Sequence, residues 1–129
     1  EFGWTVGYGG TMRHTVDAGK TWNPQTSGTK EWLNTVQFLD GNQGWAVGGG
    51  GTILHTADGG KTWNPQTSGN GISLTAVQFL DANQGWTVGF EGTTLHTVDG
   101  GKTWNPQTFG TGTEVHLWLF HATPIITVT

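Results

Sequence analysis

Apolar and polar side chains alternate over short segments along most of the chain. In the segment TAVQFLD, Val77 and Phe79 are expected on one face and Ala76 and Gln78 on the other, as in a half-buried strand with a side-chain period of two. Clusters of Gly, Asp and Asn separate these segments and favour turns. The pattern predicts short β-strands joined by tight turns.

The segments return at a constant spacing of 41 positions. Trp4, Trp45 and Trp86 keep this spacing, each at the start of a GWTVG or GWAVG segment, and the sequence GKTWNPQT is identical in three copies. A period of about 40 residues with short alternating segments is typical of propellers and solenoids, in which each repeat is one supersecondary unit. Identity this close indicates recent duplication or engineering from a consensus repeat.

Each copy contains enough strand-forming sequence for one small sheet. In one copy the four segments of strand length lie at about residues 74–80, 86–89, 93–97 and 102–108. Together they predict a four-stranded antiparallel sheet. Pro24, Pro65 and Pro106 lie in the fourth segment, and because proline cannot donate a ladder hydrogen bond, this segment is expected at a sheet edge.

Composition and charge exclude several functional classes. The 129 residues make about one domain, and 23 Gly with 8 Trp is unusual for a helical protein. Five Lys plus Arg against nine Asp plus Glu give a net charge of −4, so we expect no basic face for nucleic acid. The chain has no cysteine and no apolar run long enough for a membrane helix, so thiol chemistry and a membrane partner are not expected. The compartment stays undetermined.

One motif in each copy points to a family. The segments TVDAGKTW, TADGGKTW and TVDGGKTW match the Asp-box pattern Ser/Thr-x-Asp-x-Gly-x-Thr-Trp of the bacterial neuraminidase repeat. With the flanking segments GWAVGGGGTILHT and NPQTSG, the unit over about residues 3–112 resembles the propeller repeats of the photosystem II assembly and stability factor family. The resemblance implies a β-propeller in which the Asp box is the hairpin turn between the third and fourth strands of each blade.

The same resemblance implies a structural role for each Asp-box residue. The aspartates would accept hydrogen bonds from turn amides, the glycines would adopt a positive φ, and the tryptophans would pack between blades; a short acceptor followed by glycine also suits an Asx turn on physical grounds. These residues are Asp17, Gly19 and Trp22 in the first copy, Asp58, Gly60 and Trp63 in the second, and Asp99, Gly101 and Trp104 in the third.

The expected fold is therefore all-β, a single propeller fragment over residues 1–129. About three blades are expected, at roughly residues 3–43, 44–84 and 85–112, followed by a divergent tail at 113–129. The strand order implied by the family makes the Trp4 segment a second strand, so the first blade has no innermost strand ahead of it. Glu1 and Phe2 match the translation of a common cloning site, and we expect no structural role for them.

The tail keeps the apolar pattern although it loses the repeat sequence. Adding 41 to Leu74, Val77 and Phe79 gives Val115, Trp118 and Phe120, so the segment EVHLWLF is expected to form an innermost strand. The segment PIITVT is expected to be either an extra strand or a partly ordered tail.

Three blades do not close a ring, because propellers have about four to eight. An open stack would expose apolar blade faces and unpaired strand edges, which favour association. Our hypothesis is that two copies form a six-bladed ring, in which the tail strand with Val115, Trp118 and Phe120 pairs with the Trp4 strand of the partner. Three copies giving nine blades is the second possibility, and a domain-swapped or irregular assembly is the third.

Catalytic, metal and cofactor sites are not expected. Neuraminidases share the Asp box, but their chemistry needs an arginine triad and a Tyr–Glu pair, whereas this chain has Arg13 as its one arginine and Tyr8 as its one tyrosine. Each Asp-box aspartate stands without the further acidic ligands of a calcium loop. His14, His55 and His96 fall in separate blades, where packing or hydrogen bonding is expected rather than metal ligation.

Two functions are left. The family resemblance implies a non-catalytic protein-interaction scaffold, here one that assembles with itself. The alternative is a lectin-like, glycan-binding module, because flat aromatic faces in Trp-rich propellers can cover the apolar face of a sugar ring. The candidate glycan contacts vary between copies or lie near loops, and they are Tyr8, Trp32, Phe90 and Phe109.

Overall fold

The structure, a computed structural model, describes residues 1–107 with their side chains and, beyond them, the backbone of the strands at 115–120 and 123–128. This part of the chain consists of antiparallel strands and short 3-10 turns. The prediction of an all-β fold built from propeller blades is confirmed. In the described residues, no helix has the length and apolar character needed to cross a membrane.

The first sheet, which we call blade 1, has three strands. These are β1 (Gly3–Val6), β2 (Thr11–Thr15) and β3 (Asn23–Thr26), in that spatial order. Trp4 pairs with His14, and Arg13 pairs with Pro24. The inner edge of β1 has no partner among the described strands, so blade 1 begins at its second strand.

Blades 2 and 3 have four strands each, in chain order from the innermost to the outermost strand. Blade 2 consists of β4 (Leu33–Phe38), β5 (Gly44–Gly48), β6 (Ile53–Thr56) and β7 (Asn64–Gln66). Blade 3 consists of β8 (Leu74–Phe79), β9 (Gly85–Gly89), β10 (Thr94–Thr97) and β11 (Asn105–Gln107). The proline-containing strands β3, β7 and β11 lie at sheet edges, as their missing amide hydrogens require.

Short acceptor side chains close the turns between the innermost and second strands. In blade 2, Asp40 Oδ1 accepts hydrogen bonds from the backbone amides of Asn42 and Gln43, both at 2.8 Å. Asp81 does the same in blade 3. These amide bonds lower the pKa of both carboxyls and fix the DGNQG and DANQG segments as Asx turns.

The fourth strand is shorter than the sequence predicted. The expected segment in blade 3 began at Lys102, but β11 begins at Asn105. Asp99 holds the Thr103 amide at 2.9 Å and the Thr103 hydroxyl at 2.6 Å. Thr103 therefore belongs to the Asp-box turn, and the strand ladder starts only after it.

The tail contains two further strands. They are β12 (Val115–Phe120) and β13 (Thr123–Val128), which pair with each other as an antiparallel hairpin. β12 lies against β8 and β9, as β8 lies against β4 and β5. It therefore has the position of an innermost strand beside blade 3. Residues 124–128 of the PIITVT segment lie in β13, which is one of the two alternatives expected for this segment.

The buried apolar side chains form one cluster between each pair of adjacent blades. The cluster between blades 1 and 2 consists of Met12, Leu33, Ala46, Leu54 and Trp63. The cluster between blades 2 and 3 consists of Trp45, Val47, Ile53, Leu74, Val77, Phe79, Leu95 and Trp104. Because each cluster draws on two blades, burial of apolar surface stabilises the stack rather than any single sheet.

An aromatic stack recurs in both interfaces between blades. Phe79 of β8 lies flat on Trp45 of β5, with ring centroids 3.5 Å apart and an interplanar angle of 9°. Phe38 of β4 lies on Trp4 of β1 with the same separation and an angle of 11°. The phenylalanine of one innermost strand thus packs on the second-strand tryptophan of the preceding blade.

Glu1 and Phe2 contribute to blade 1, so the expectation that they have no structural role is wrong. The carbonyl oxygen of Glu1 accepts a hydrogen bond from the Ala18 amide at 3.0 Å. Phe2 packs edge-on against Trp4 and His14, with ring centroids 6.4 and 5.8 Å apart. Both residues extend the contacts of β1 on its N-terminal side.

Candidate functional site

The Asp box forms the hairpin turn between the third and fourth strands of each blade. In blade 2, Asp58 accepts hydrogen bonds from the Thr62 hydroxyl at 2.6 Å, the Thr62 amide at 2.9 Å and the Thr56 hydroxyl at 2.8 Å. These three bonds, in that order of importance, lower the pKa of Asp58 to about 2, so its carboxylate is charged at neutral pH. Asp17 and Asp99 make the same bonds in their own blades.

The backbone conformation favours glycine at all three Asp-box glycines, and a close approach from another blade also requires it at two of them. Gly19, Gly60 and Gly101 have φ angles of 88°, 89° and 90°, a region that favours glycine. A Cβ atom at Gly60 would overlap the side-chain amide of Gln25, which belongs to blade 1. A Cβ atom at Gly101 would overlap Gln66 of blade 2 in the same way.

Each of the second and third Asp boxes also receives hydrogen bonds from the preceding blade. The carbonyl oxygen of Gly100 accepts one from Trp45 Nε1 at 3.3 Å and one from Gln66 Nε2 at 3.0 Å. Gln66 Oε1 in turn accepts a hydrogen bond from Trp104 Nε1 at 3.2 Å. A Trp–Gln pair on one blade therefore docks on the Asp box of the next.

The interface between blades 1 and 2 repeats this docking one repeat earlier. The carbonyl oxygen of Gly59 accepts hydrogen bonds from Trp4 Nε1 at 3.4 Å and Gln25 Nε2 at 3.2 Å. Sequence reasoning missed Gln25 and Gln66 as interface residues. The sequence did contain a signal for these residues. The same glutamine stands in all three NPQT segments, although an exposed edge strand does not by itself require glutamine.

The three Asp-box tryptophans do not share one environment. Trp63 and Trp104 are 8% and 7% exposed, whereas Trp22 is 38% exposed. Trp22 lies on a face of blade 1 that no other blade covers in the described part of the chain, so its expected packing between blades stays a prediction. On this free face, Gly3, Ala18, Gly19 and Trp22 line an open groove of about 290 Å³.

The repeated histidines pack within their own blades. Each lies on the second-strand tryptophan with ring centroids 4.6 to 4.9 Å apart. The pairs are His14 with Trp4, His55 with Trp45, and His96 with Trp86. His55 Nε2 also lies 2.7 Å from Gln43 Oε1, and burial lowers the pKa of His55. Within the described residues, no group of three His, Asp or Glu side chains could hold a metal ion.

Three of the four candidate glycan contacts lie at the opposite end of the blades from the Asp boxes. Tyr8, Trp32 and Phe90 are exposed and lie in connections between second and third strands or between blades. The Tyr8 and Trp32 rings are 4.9 Å apart. Trp32 and Phe90 line an open groove of about 460 Å³ together with Glu31, and we call it the aromatic groove. Glu31 was not among the residues expected from the sequence. Phe109, like the side chains of Val115, Trp118 and Phe120, lies outside the described residues.

Trp4 and the strand β12, which we expected to close the ring, both have partners within one chain. Trp4 packs on Phe38 of blade 2, so its ring already takes part in a blade interface. β12, which we expected to pair with a partner's Trp4 strand, pairs with β13 in this chain. A second copy could pair with the edge that β13 occupies only if β13 left it.

Comparison with known proteins identifies the family. The family model of the photosynthesis system II assembly factor YCF48 matches residues 1–70, which is more than half of the chain. The chain belongs to the YCF48 family. The resemblance to photosystem II assembly factors is thereby confirmed, and the fold is that of a propeller in a family of assembly factors.

Two solved YCF48 structures resemble this chain. One, described as YCF48 bound to D1 peptide, is 32% identical with a TM-score of 0.72, over 82% of this chain and 36% of that one. YCF48 from Cyanidioschyzon merolae is 17% identical with a TM-score of 0.77, over 97% of this chain and 47% of that one, and it supports the fold alone. The chain spans between about a third and a half of these YCF48 structures. No curated protein gives a significant match.

Proposed function

We propose that this chain is a non-catalytic propeller unit for protein interaction, and that it completes its ring by associating with further copies of itself. The family description, an assembly factor, and the related YCF48 structure with a bound D1 peptide support a protein partner. The Asp boxes, which neuraminidases share, are occupied here by hydrogen bonds within the turns and between blades. They are structural elements in this proposal.

One observation supports self-assembly. One end of the blade stack has the outer three strands of a blade, and the other end has a strand in the position of an innermost strand. Blade 1 has second, third and fourth strands, and the inner edge of β1 pairs with no other described strand. At the other end, β12 has the position of an innermost strand beside blade 3. The β12 strand of one copy and β1–β3 of another would make a four-stranded sheet like blades 2 and 3. Two copies would then form six blades, and three copies would form nine.

Removal of residues 113–129 tests this closure. We expect gel filtration with light scattering to show an oligomer for the full chain and a monomer for the shortened one, because the shortened chain lacks the strand that would complete blade 1. Circular dichroism serves as the control, since both interblade clusters lie within residues 1–107 and should keep the shortened chain folded. An oligomer with the same number of subunits after the deletion would refute closure by the tail.

A second candidate function is carbohydrate binding at the aromatic groove. The observation that favours it is the convergence of Tyr8, Trp32 and Phe90 at one end of the blades, with Glu31 as a charged group beside the aromatic faces. Aromatic rings with one or a few polar groups suit a sugar ring.

Calorimetric titration with monosaccharides tests this second candidate. If it is correct, the wild type and Trp22→Ala should bind a sugar saturably, and Trp32→Ala should lose about tenfold in affinity, since ring-stacking contacts contribute on the order of 1 kcal/mol. Trp22→Ala is the matched control because it removes an exposed tryptophan elsewhere. Absence of any sugar response, with Trp32-dependent binding of a D1 peptide instead, would assign the groove to a polypeptide.

A further inference from the structure

We infer that the Asp box of blade 1 is a receiving site for a second copy of this chain. The Ala18 carbonyl would accept hydrogen bonds from the Trp86 and Gln107 side chains of that copy, and Gly19 would leave room for the Gln107 amide. The inference rests on the proposed self-association and deepens it. It names the atoms through which the two ends of the stack would meet.

The same site is filled twice within the chain. At the blade 2–3 interface, Trp45 and Gln66 donate to the Gly100 carbonyl, and the backbone at Gly101 leaves room for the Gln66 amide. At the blade 1–2 interface, the equivalent residues of the preceding repeat make the same contacts. An Asp box in this chain is thus built to accept a Trp–Gln pair from a preceding blade.

Blade 1 has this acceptor without the pair. Ala18 and Gly19 are the equivalents, one repeat earlier, of Gly59 and Gly60. The three heavy atoms nearest to a Cβ atom at Gly19 would all belong to the ring of Trp22, at 3.6 Å or more, and none to a glutamine. The space that a glutamine fills at the other two boxes is part of the open groove lined by Gly3, Ala18, Gly19 and Trp22.

Blade 3 has the pair, and residues 1–107 offer no acceptor for it. Trp86 and Gln107 are the equivalents, one repeat later, of Trp45 and Gln66. Within residues 1–107 every Asp box belongs to blade 1, 2 or 3, so none follows blade 3. Gln107 is exposed on the edge strand β11, and the Trp86 ring is held on His96 with centroids 4.6 Å apart, as Trp45 is held on its own histidine.

The position of β12 makes the docking geometrically consistent. β12 lies beside blade 3 as β8 lies beside blade 2. If β1 of a second copy paired with β12, then β2 and β3 would follow outward, and the turn between them would reach Trp86 and Gln107. In one chain alone β12 pairs with β13. A second copy that took the edge of β12 on which β13 lies would replace β13 as the partner of β12.

Gly19→Ala tests the receiving site, with Gly28→Ala as the matched control. Both glycines have positive φ angles, 88° and 80°, so both substitutions impose similar backbone strain. A Cβ atom at Gly28 has nothing within 4 Å and Gly28 is not in an Asp box. Analytical ultracentrifugation should show that Gly19→Ala weakens self-association by about tenfold or more, because the Cβ atom would take the place of the incoming Gln107 amide. Gly28→Ala should associate like the wild type.

A mixture of two variants gives a second measurement, in which heterodimer formation is compared with homodimer formation by the same two variants. Gly19→Ala blocks the space for the incoming glutamine and Gln107→Ala removes that glutamine, so each variant alone should associate weakly. Their equimolar mixture retains one intact acceptor and one intact donor, and it should form heterodimers more tightly than either variant forms homodimers. If the wild type self-associates and Gly19→Ala self-associates with the same affinity, the receiving site is refuted but self-assembly is not. A monomeric wild type would overturn both.

Discussion

Trp45→Ala is expected to lower the free energy of unfolding by about 3–5 kcal/mol, the range for a buried tryptophan truncated in a core. Trp45 is fully buried, its ring lies 3.5 Å from that of Phe79, and its Nε1 donates to the Gly100 carbonyl at 3.3 Å. One substitution therefore opens a cavity and breaks a hydrogen bond between blades 2 and 3. Urea unfolding followed by circular dichroism measures the loss.

Trp32→Ala is the control for this prediction. Trp32 is exposed and contacts Tyr8 on the surface, so its truncation should cost about 1 kcal/mol or less. Equal losses for Trp32→Ala and Trp45→Ala would contradict the assignment of Trp45 as the ring that joins two blades.

Gly48→Ala is expected to destabilise the chain by about 3 kcal/mol or more, whereas Gly7→Ala should change stability by no more than about 0.5 kcal/mol. The two glycines occupy equivalent positions in successive repeats, with φ angles of −175° and −177°, so neither requires glycine for its backbone conformation. A Cβ atom at Gly48 would overlap the backbone carbonyl of Trp32, while one at Gly7 has nothing within 4 Å.

The overlap at Gly48 involves backbone, which cannot move aside as a flexible side chain can. The carbonyl of Trp32 also accepts a hydrogen bond from the Gly49 amide at 2.8 Å. Displacing this carbonyl would break the hydrogen bond that joins the β3–β4 connection to the β5–β6 connection. Thermal unfolding of the two variants side by side measures the difference. Equal melting temperatures would show that the blade connection is looser than its geometry implies.

Strand order could be predicted from the sequence because its determinants are local and repeated. The constant repeat period showed which segments are equivalent, and Pro24, Pro65 and Pro106 identified the edge strand. The start of the fourth strand was predicted too early, since the hydrogen bonds of Asp99 to Thr103 extend the turn into a segment whose composition suits a strand.

The environment of the Asp-box tryptophans could not be predicted from the motif. Trp22, Trp63 and Trp104 lie in identical GKTWNPQT segments, yet Trp22 is exposed and the others are buried. Burial here depends on whether another blade precedes the one that carries the residue. The sequence of a single repeat holds no such information.

The interface glutamines and the aromatic groove escaped prediction for a related reason. Gln66 reaches Gly100, and Tyr8 reaches Trp32, only after two blades have packed together. Tyr8, Trp32 and Phe90 were singled out one by one as surface aromatics, but their convergence depends on connections that are far apart in the sequence. Pairwise contacts across blades follow from the stacking geometry.

Self-association through the two ends of the blade stack is tested by the molar mass of the full chain in light scattering across a range of concentrations. A six-bladed ring of two copies gives twice the 13.8 kDa of one chain, and the midpoint of thermal unfolding should rise with protein concentration because association stabilises the folded state. A mass of 13.8 kDa at every concentration, with an unfolding midpoint that does not change, would contradict self-association.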